Sequence, residues 1–126
     1  MATTVSQTTS NSMADTLNTA IGTSHELRFY TAANALLATC TYAASSGGLS
    51  TVGGKEVITF THGNYTDDAS PTAGTVSYAT IHQGVNEIVR FSDPVNDIGL
   101  SSTTISSPGT VDVNANIVIE MPAHTA

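Results

Sequence analysis

Tryptophan is absent from this chain, and its 126 residues include one cysteine and only three fixed cations, Arg28, Lys55 and Arg90. Each shortage closes a class of function. A single cysteine cannot form an intrachain disulfide. Cys40 follows Leu36, Leu37 and Ala38 with no cation beside it in sequence to lower its pKa, so it reads as a small buried hydrophobe, not a reactive thiol. Nucleic acid is gripped through its phosphates by clusters of lysine and arginine. Three scattered cations on a chain of net charge −7 exclude that partner, and an anionic membrane surface is disfavoured for the same reason. No apolar run approaches the roughly 20 residues that span a bilayer. The opening Met-Ala-Thr-Thr-Val-Ser-Gln-Thr-Thr-Ser lacks the basic start and apolar centre of a secretory signal, so synthesis and folding in a host cytoplasm are expected.

Hydrophobic residues make up 40% of the sequence, enough for one modest core in a chain of about one domain's length. Charged residues make up only 10%, against roughly a quarter in an average domain. Threonine, serine, asparagine and glycine supply the polarity instead. Threonine suits a pleated surface, and the other three suit the turns between strands. A surface of neutral hydroxyls and amides is also easier to dry than one of lysine and glutamate, which favours contact with other proteins.

The clearest periodicity lies near the end. Val111, Val113, Ala115, Ile117, Ile119 and Met121 alternate with Asp112, Asn114, Asn116, Val118 and Glu120, which predicts one long half-buried strand over 111–121 that Pro122 ends. Residues 1–11 form a Ser/Thr-rich arm with almost nothing to bury, mobile unless a partner holds it. The single domain then covers 12–126. It opens with a helix over 12–21 that Ser12 caps and Gly22 ends, with Met13, Leu17, Ala20 and Ile21 on one face. After Gly22 the period switches to two. Strands are expected at 26–30 with Leu27 and Phe29 inward, and at 36–42, 56–61, 75–81 and 87–92, the last with Val89 and Phe91 inward. One or two short strands follow within 98–105. Residues 43–54 read as a flexible low-complexity loop, 62–74 as a long polar loop, and 93–97 and 106–109 as turns. Seven or so short strands at this spacing make an all-β antiparallel sandwich of jelly-roll or immunoglobulin-like size, with the two long loops at its ends.

No constellation in the sequence names a reaction. His25, His62, His82 and His124 are isolated, whereas a zinc site needs three or four converging ligands; only His62 and His82 are left open to meeting in space. Asp67 with Asp68, and Asp93 with Asp97, lack the regular oxygen offsets of a calcium loop and read as turn acids. Two carboxylates of a glycosidase could meet from anywhere in the chain, but no tryptophan is present to serve as a sugar platform. Gly53-Gly54-Lys55 fails as a phosphate loop, with Leu49 where the first glycine belongs and Glu56 where the magnesium hydroxyl belongs. Gly48-Leu-Ser-Thr-Val is no nucleophile elbow. Asn64-Tyr-Thr66 is a formal glycosylation sequon, without meaning unless the chain is secreted. No residue is assigned a catalytic, metal-binding or cofactor-binding role, no cofactor is expected, and an enzyme is not the expected function.

A layout of segments carries a resemblance across most of the chain. A short N-terminal helix precedes Glu-Leu-Arg-Phe-Tyr at 26–30, then Leu-Leu-Ala-Thr at 36–39 and a Gly/Ala/Ser-rich loop. Gly74, Thr75 and Tyr78 follow in a Gly-Thr-x-x-Tyr strand, then 98–105, a Pro-Gly turn, and a close on Met121, Pro122 and Ala123. This layout resembles the small virion proteins encoded among the head genes of tailed bacteriophages, of the decoration or cement type. The arginine usual in the family's central strand is not beside Tyr78, where Thr80 and Ile81 stand; Arg90 is the candidate for its part. The resemblance implies a β-sandwich on the outer surface of a capsid, bound to the major capsid protein, as a homo-oligomer for which a trimer is favoured. Competing expectations are a tail or head–tail connector protein, and a receptor- or carbohydrate-binding module using loops 43–54 and 62–74 with Tyr65 as a platform.

Overall fold

Leu27 and Phe29, Ala79 and Ile81, and Ile58 and Phe60 are buried pairs spaced two apart, and they meet in one core from two antiparallel sheets. The computed structural model describes residues 5–22, 24–43, 47–100, 102–107, 109–111, 113, 115–121 and 124–125. In chain order the elements are β1 (Val5–Ser6), α1 (Gln7–Ile21), β2 (Glu26–Tyr30), β3 (Leu36–Thr41), β4 (Gly48–Val52) and β5 (Lys55–Phe60). Then come β6 (Gly74–Thr75), β7 (Tyr78–Gln83), β8 (Asn86–Phe91), α2 (Pro94–Asp97), β9 (Thr104–Ile105), β10 (Ile117–Glu120) and β11 (His124–Thr125). A four-stranded sheet runs β3-β2-β7-β8 and a three-stranded sheet runs β10-β5-β4, both antiparallel throughout. Two short pairings, β6 with β9 and the parallel β1 with β11, complete the set. The chain is therefore mostly β and sandwich-like with an N-terminal helix, as its periodicity requires.

Several boundaries differ from those expected. The helix begins at Gln7, not at residue 12, so 7–11 belong to it and not to an arm; residues 1–4 lie outside the described residues. Ser6 is the cap, its hydroxyl accepting from the Thr9 amide at 3.2 Å, and Ser12 is an exposed residue in mid-helix. Helix 7–21 buries Ser10, Ala14, Asn18 and Ile21, while Met13 is 38% exposed and Ala20 is exposed. A helix read from residue 12 hides this phase, because two of the four inward positions are polar.

The supposed loop 43–54 is a hairpin where it is described. β4 pairs with β5 from Gly48 opposite Thr59 to Val52 opposite Lys55. Gly53 and Gly54, at φ +59° and +75°, make the two-residue turn whose positive angles match strand twist. Residues 44–46 lie outside the described residues. The long strand expected over 111–121 is also cut down, to an isolated bridge at Val111 and a strand at Ile117–Glu120. Val111 exchanges backbone hydrogen bonds with Asp68, each of 2.8 Å, and only Ile117–Glu120 pairs with β5. The alternation still holds: Val111, Val113, Ala115 and Ile119 are half-buried and Ile117 and Met121 buried, with Asn116, Val118 and Glu120 exposed. Burial sets that pattern, but the chain changes hydrogen-bonding partner from one sheet's margin to the other. Asp112, Asn114, Pro122 and Ala123 lie outside the described residues.

Ser10 raises a separate point of energetics. Its hydroxyl is wholly buried and finds no hydrogen-bond partner among the described residues. Alanine there removes a desolvated donor and improves helix propensity, so Ser10→Ala should stabilise the fold by about 0.5–1 kcal/mol. Urea unfolding checks this, and a destabilised variant would show that the hydroxyl is satisfied in solution.

Candidate functional site

The four histidines fall into unlike surroundings. His25 is fully buried, stacked on Tyr42 with ring centroids 4.5 Å apart and edge-on to Phe60 and Tyr65. Its Nδ1 lies 3.2 Å from the Gly22 carbonyl and its Nε2 2.7 Å from the Tyr65 hydroxyl. The carbonyl can only accept, so Nδ1 carries the proton and Tyr65 donates to Nε2. Burial holds the His25 pKa below the ordinary 6.5 and pushes the Tyr65 phenol up. Tyr65 is only 6% exposed, so it is a core residue and not a platform for a sugar. His62 lies in a single 3-10 turn, His62–Asn64, where its amide donates to Asn116 Oδ1 at 3.0 Å. His124 belongs to β11.

His82 sits on the outer face of the four-stranded sheet, yet is buried there. Alternation puts Glu26, Arg28 and Tyr30 of β2 opposite His82, Thr80 and Tyr78 of β7. Tyr30 stacks on Tyr78 at 5.1 Å, and Thr80 Oγ1 lies 2.8 Å from His82 Nδ1. Arg28 Nε donates to Glu26 at 2.9 Å, and Arg90, from β8, donates to Glu87 at 2.9 Å while its guanidinium lies 4.2 Å above the Tyr78 ring. These long side chains roof over Thr80 and His82. Desolvation, with Arg28 adding to it, holds the His82 pKa down, and the Arg90 hydrogen bond lowers that of Glu87. Two of the chain's three cations are thus committed to one sheet face and paired there.

The loop acids behave as turn acids. Asp68 accepts from the amides of Thr39 and Ser70, each at 2.9 Å, and Asp93 caps α2. Asp68 belongs to a segment that covers the outer edge of β3: Thr66 N donates to the Thr41 carbonyl and Thr72 N to that of Leu37, each at 2.8 Å. Loop 62–74 therefore lies along a strand and not at an end of the sandwich. Cys40 is fully buried. Among the described residues, no group of three or more His, Cys, Asp or Glu is placed to hold a metal ion.

Among the described residues, one flank of α1 lies open. Met13, Leu17 and Ala20, with Thr9, Ser12 and Thr16, border an open apolar groove of about 510 Å³ that Met121 closes from the end of β10. Asp15 is the only ionisable side chain in the helix. Sequence periodicity puts Met13, Leu17, Ala20 and Ile21 on one face; the structure buries Ile21, places Leu17 at the margin of the core and leaves Met13 and Ala20 exposed. No protein-family model matches this chain, and neither does any curated protein or any solved structure.

Proposed function

We propose that this protein is a structural component of a bacteriophage virion that decorates and cements the capsid by binding the major capsid protein. The observation that carries the reading is the flank of α1, uncovered among the described residues, an uncharged strip of Met13, Thr16, Leu17 and Ala20 continued by Met121. Such a strip loses little on leaving water and gains from burial, which is the chemistry of a protein-facing surface. The cation-poor, acidic composition fits the outside of a shell, where packaged nucleic acid is not met. Arg90 over Tyr78 brings together an arginine and a strand tyrosine, although from neighbouring strands. The partners of this reading are the major capsid protein and further copies of the chain, with a trimer as the match to local three-fold positions.

Co-sedimentation of the purified chain with assembled shells tests this. Met13→Glu and Ala20→Glu each put a carboxylate in the strip at an exposed position, so the fold should keep its stability to within about 0.5 kcal/mol. Shell binding should weaken on the order of tenfold or more. Full binding by both variants removes the strip from the interface, and a wild-type chain that ignores shells ends the reading. Counting copies per particle separates decoration, at hundreds, from a tail or connector role, at a dozen or fewer.

A further inference from the structure

We propose that β4 is a self-association strand, pairing antiparallel with β4 of a second copy across a two-fold axis at Ser50. The inference goes beyond capsid decoration and does not depend on it. Its basis is how differently the sheet edges are treated. The edge at β3 is covered by 66–72, hydrogen-bonded to it at Leu37, Thr39 and Thr41. The edge at β8 carries Glu87 and Arg90, and β10 carries Glu120. Charges of this kind are how proteins block stray strand pairing. β4 is Gly-Leu-Ser-Thr-Val, exposed along its whole length, with no charge, no proline and no covering segment among the described residues. Leu49 is 45% and Val52 62% exposed.

Register decides which backbone groups are free. Val52 and Lys55 flank the two-residue turn and form the hydrogen-bonded pair that closes it. Counting back by two, Ser50 and Gly48 also direct their amides and carbonyls at β5. Leu49 and Thr51 direct theirs outward. Centred on Ser50, a second β4 sets Leu49 opposite Thr51 of the other copy in two hydrogen-bonded pairs, about four bonds in all. Ser50 meets its own counterpart as a non-hydrogen-bonded pair, with Cα atoms about 4.5 Å apart.

The strand is its own complement. Across the two-fold axis one uncharged β4 meets another, so no charged side chain of either strand faces its counterpart, although the chain carries a net charge of −7. The carboxylates of Asp15 and Glu56 border the gap beside the strand. The join doubles the three-stranded sheet and brings Leu49 of each copy over the other's edge. It also covers the gap of about 370 Å³ between α1 and β4, bordered by Asn11 and Asp15 on the helix and by Leu49 and Thr51 on the strand. An isologous contact closes at two copies, so it uses a surface separate from any three-fold association.

The test uses the full chain. Sedimentation velocity of the wild type should show a dimer that dissociates on dilution. Ser50→Cys should oxidise to a covalent dimer on the order of a hundredfold faster than the exposed Ser70→Cys, since pairing raises the local thiol concentration. Buried Cys40 leaves the background low. Ser50→Glu, which faces two carboxylates across the axis, should abolish the dimer while leaving the melting of the single copy unchanged. A wild type that stays single at millimolar concentration, equal oxidation of the two cysteine variants, or a Ser50→Glu chain that still dimerises would each overturn the proposal.

Discussion

Replacing Asn18 with alanine should cost about 2–4 kcal/mol of folding stability, the largest loss expected from any single polar side chain in this protein. Asn18 is buried on the inward face of α1, and its amide makes two hydrogen bonds with one residue of another element. Nδ2 donates to the Gly47 carbonyl and Oδ1 accepts from the Gly47 amide, both at 3.0 Å. Gly47 precedes β4, so this pair ties the helix to the start of the hairpin. Truncation strands both backbone groups of Gly47 in a dry site, and each uncompensated group costs about 1–3 kcal/mol. Leucine at position 18 restores volume but satisfies neither group, so it should recover little. Gly47 itself has no room to adapt. A Cβ there would lie 2.8 Å from Ile58 Cγ2 and from Phe60 Cε1, and Gly47→Ala should cost about 1–3 kcal/mol by overpacking. Urea unfolding of the variants provides the measurement; an Asn18→Ala loss under about 0.5 kcal/mol would show that water replaces the amide.

Acid should destabilise the fold from about pH 6.5 downward, and His25 should be the main cause. The sign follows from its lowered pKa. Above 6.5, the ordinary value, the imidazole is neutral in both states and the full stability is present. Below it the unfolded chain takes up a proton that buried His25 refuses, so stability falls with pH until the folded pKa is passed. The limiting slope is about 1.4 kcal/mol per pH unit for one histidine. His82, also lowered by desolvation, adds in the same direction. His25→Phe keeps a ring between Tyr42 and Phe60 but cannot titrate. It should cost about 1–3 kcal/mol near pH 8, where Tyr65 loses its acceptor, yet lose less than the wild type between about pH 6.5 and 5. Stability curves over that range decide it, since they stop above the ordinary carboxylate range and leave Glu87 ionised. Parallel slopes for the two proteins would clear His25 of the role.

Legibility in the sequence followed the source of each signal. β2 was read to the residue because Glu26, Arg28 and Tyr30 alternate with Leu27 and Phe29, and a strand with one wet and one dry face must write that alternation. β4 was missed because neither of its faces is buried, so composition carried no period; the signal that could have found it was Gly53-Gly54, a two-residue hairpin turn. Helix α1 was read five residues short because Ser10 and Asn18 occupy its dry face and disguise the phase. Met13, Leu17 and Ala20 show the limit of the same signal: apolar residues at helical spacing state that they share a face, not what that face rests on.

Amino-acid order alone therefore determined the local quantities: which stretches alternate, where glycine turns the chain, how much can be buried, and how few cations the chain carries. These depend on neighbours in sequence and on totals. Only the tertiary structure decided that Val111 bridges to Asp68 while Ile117–Glu120 pairs with β5, that Asn18 meets Gly47 across 29 positions, and that Arg90 comes to rest over Tyr78. It alone left the flank of α1 and the edge of β4 without cover among the described residues. Contacts between distant residues depend on which hydrogen-bonding edges find each other once the core has closed, and a one-dimensional pattern does not encode that choice.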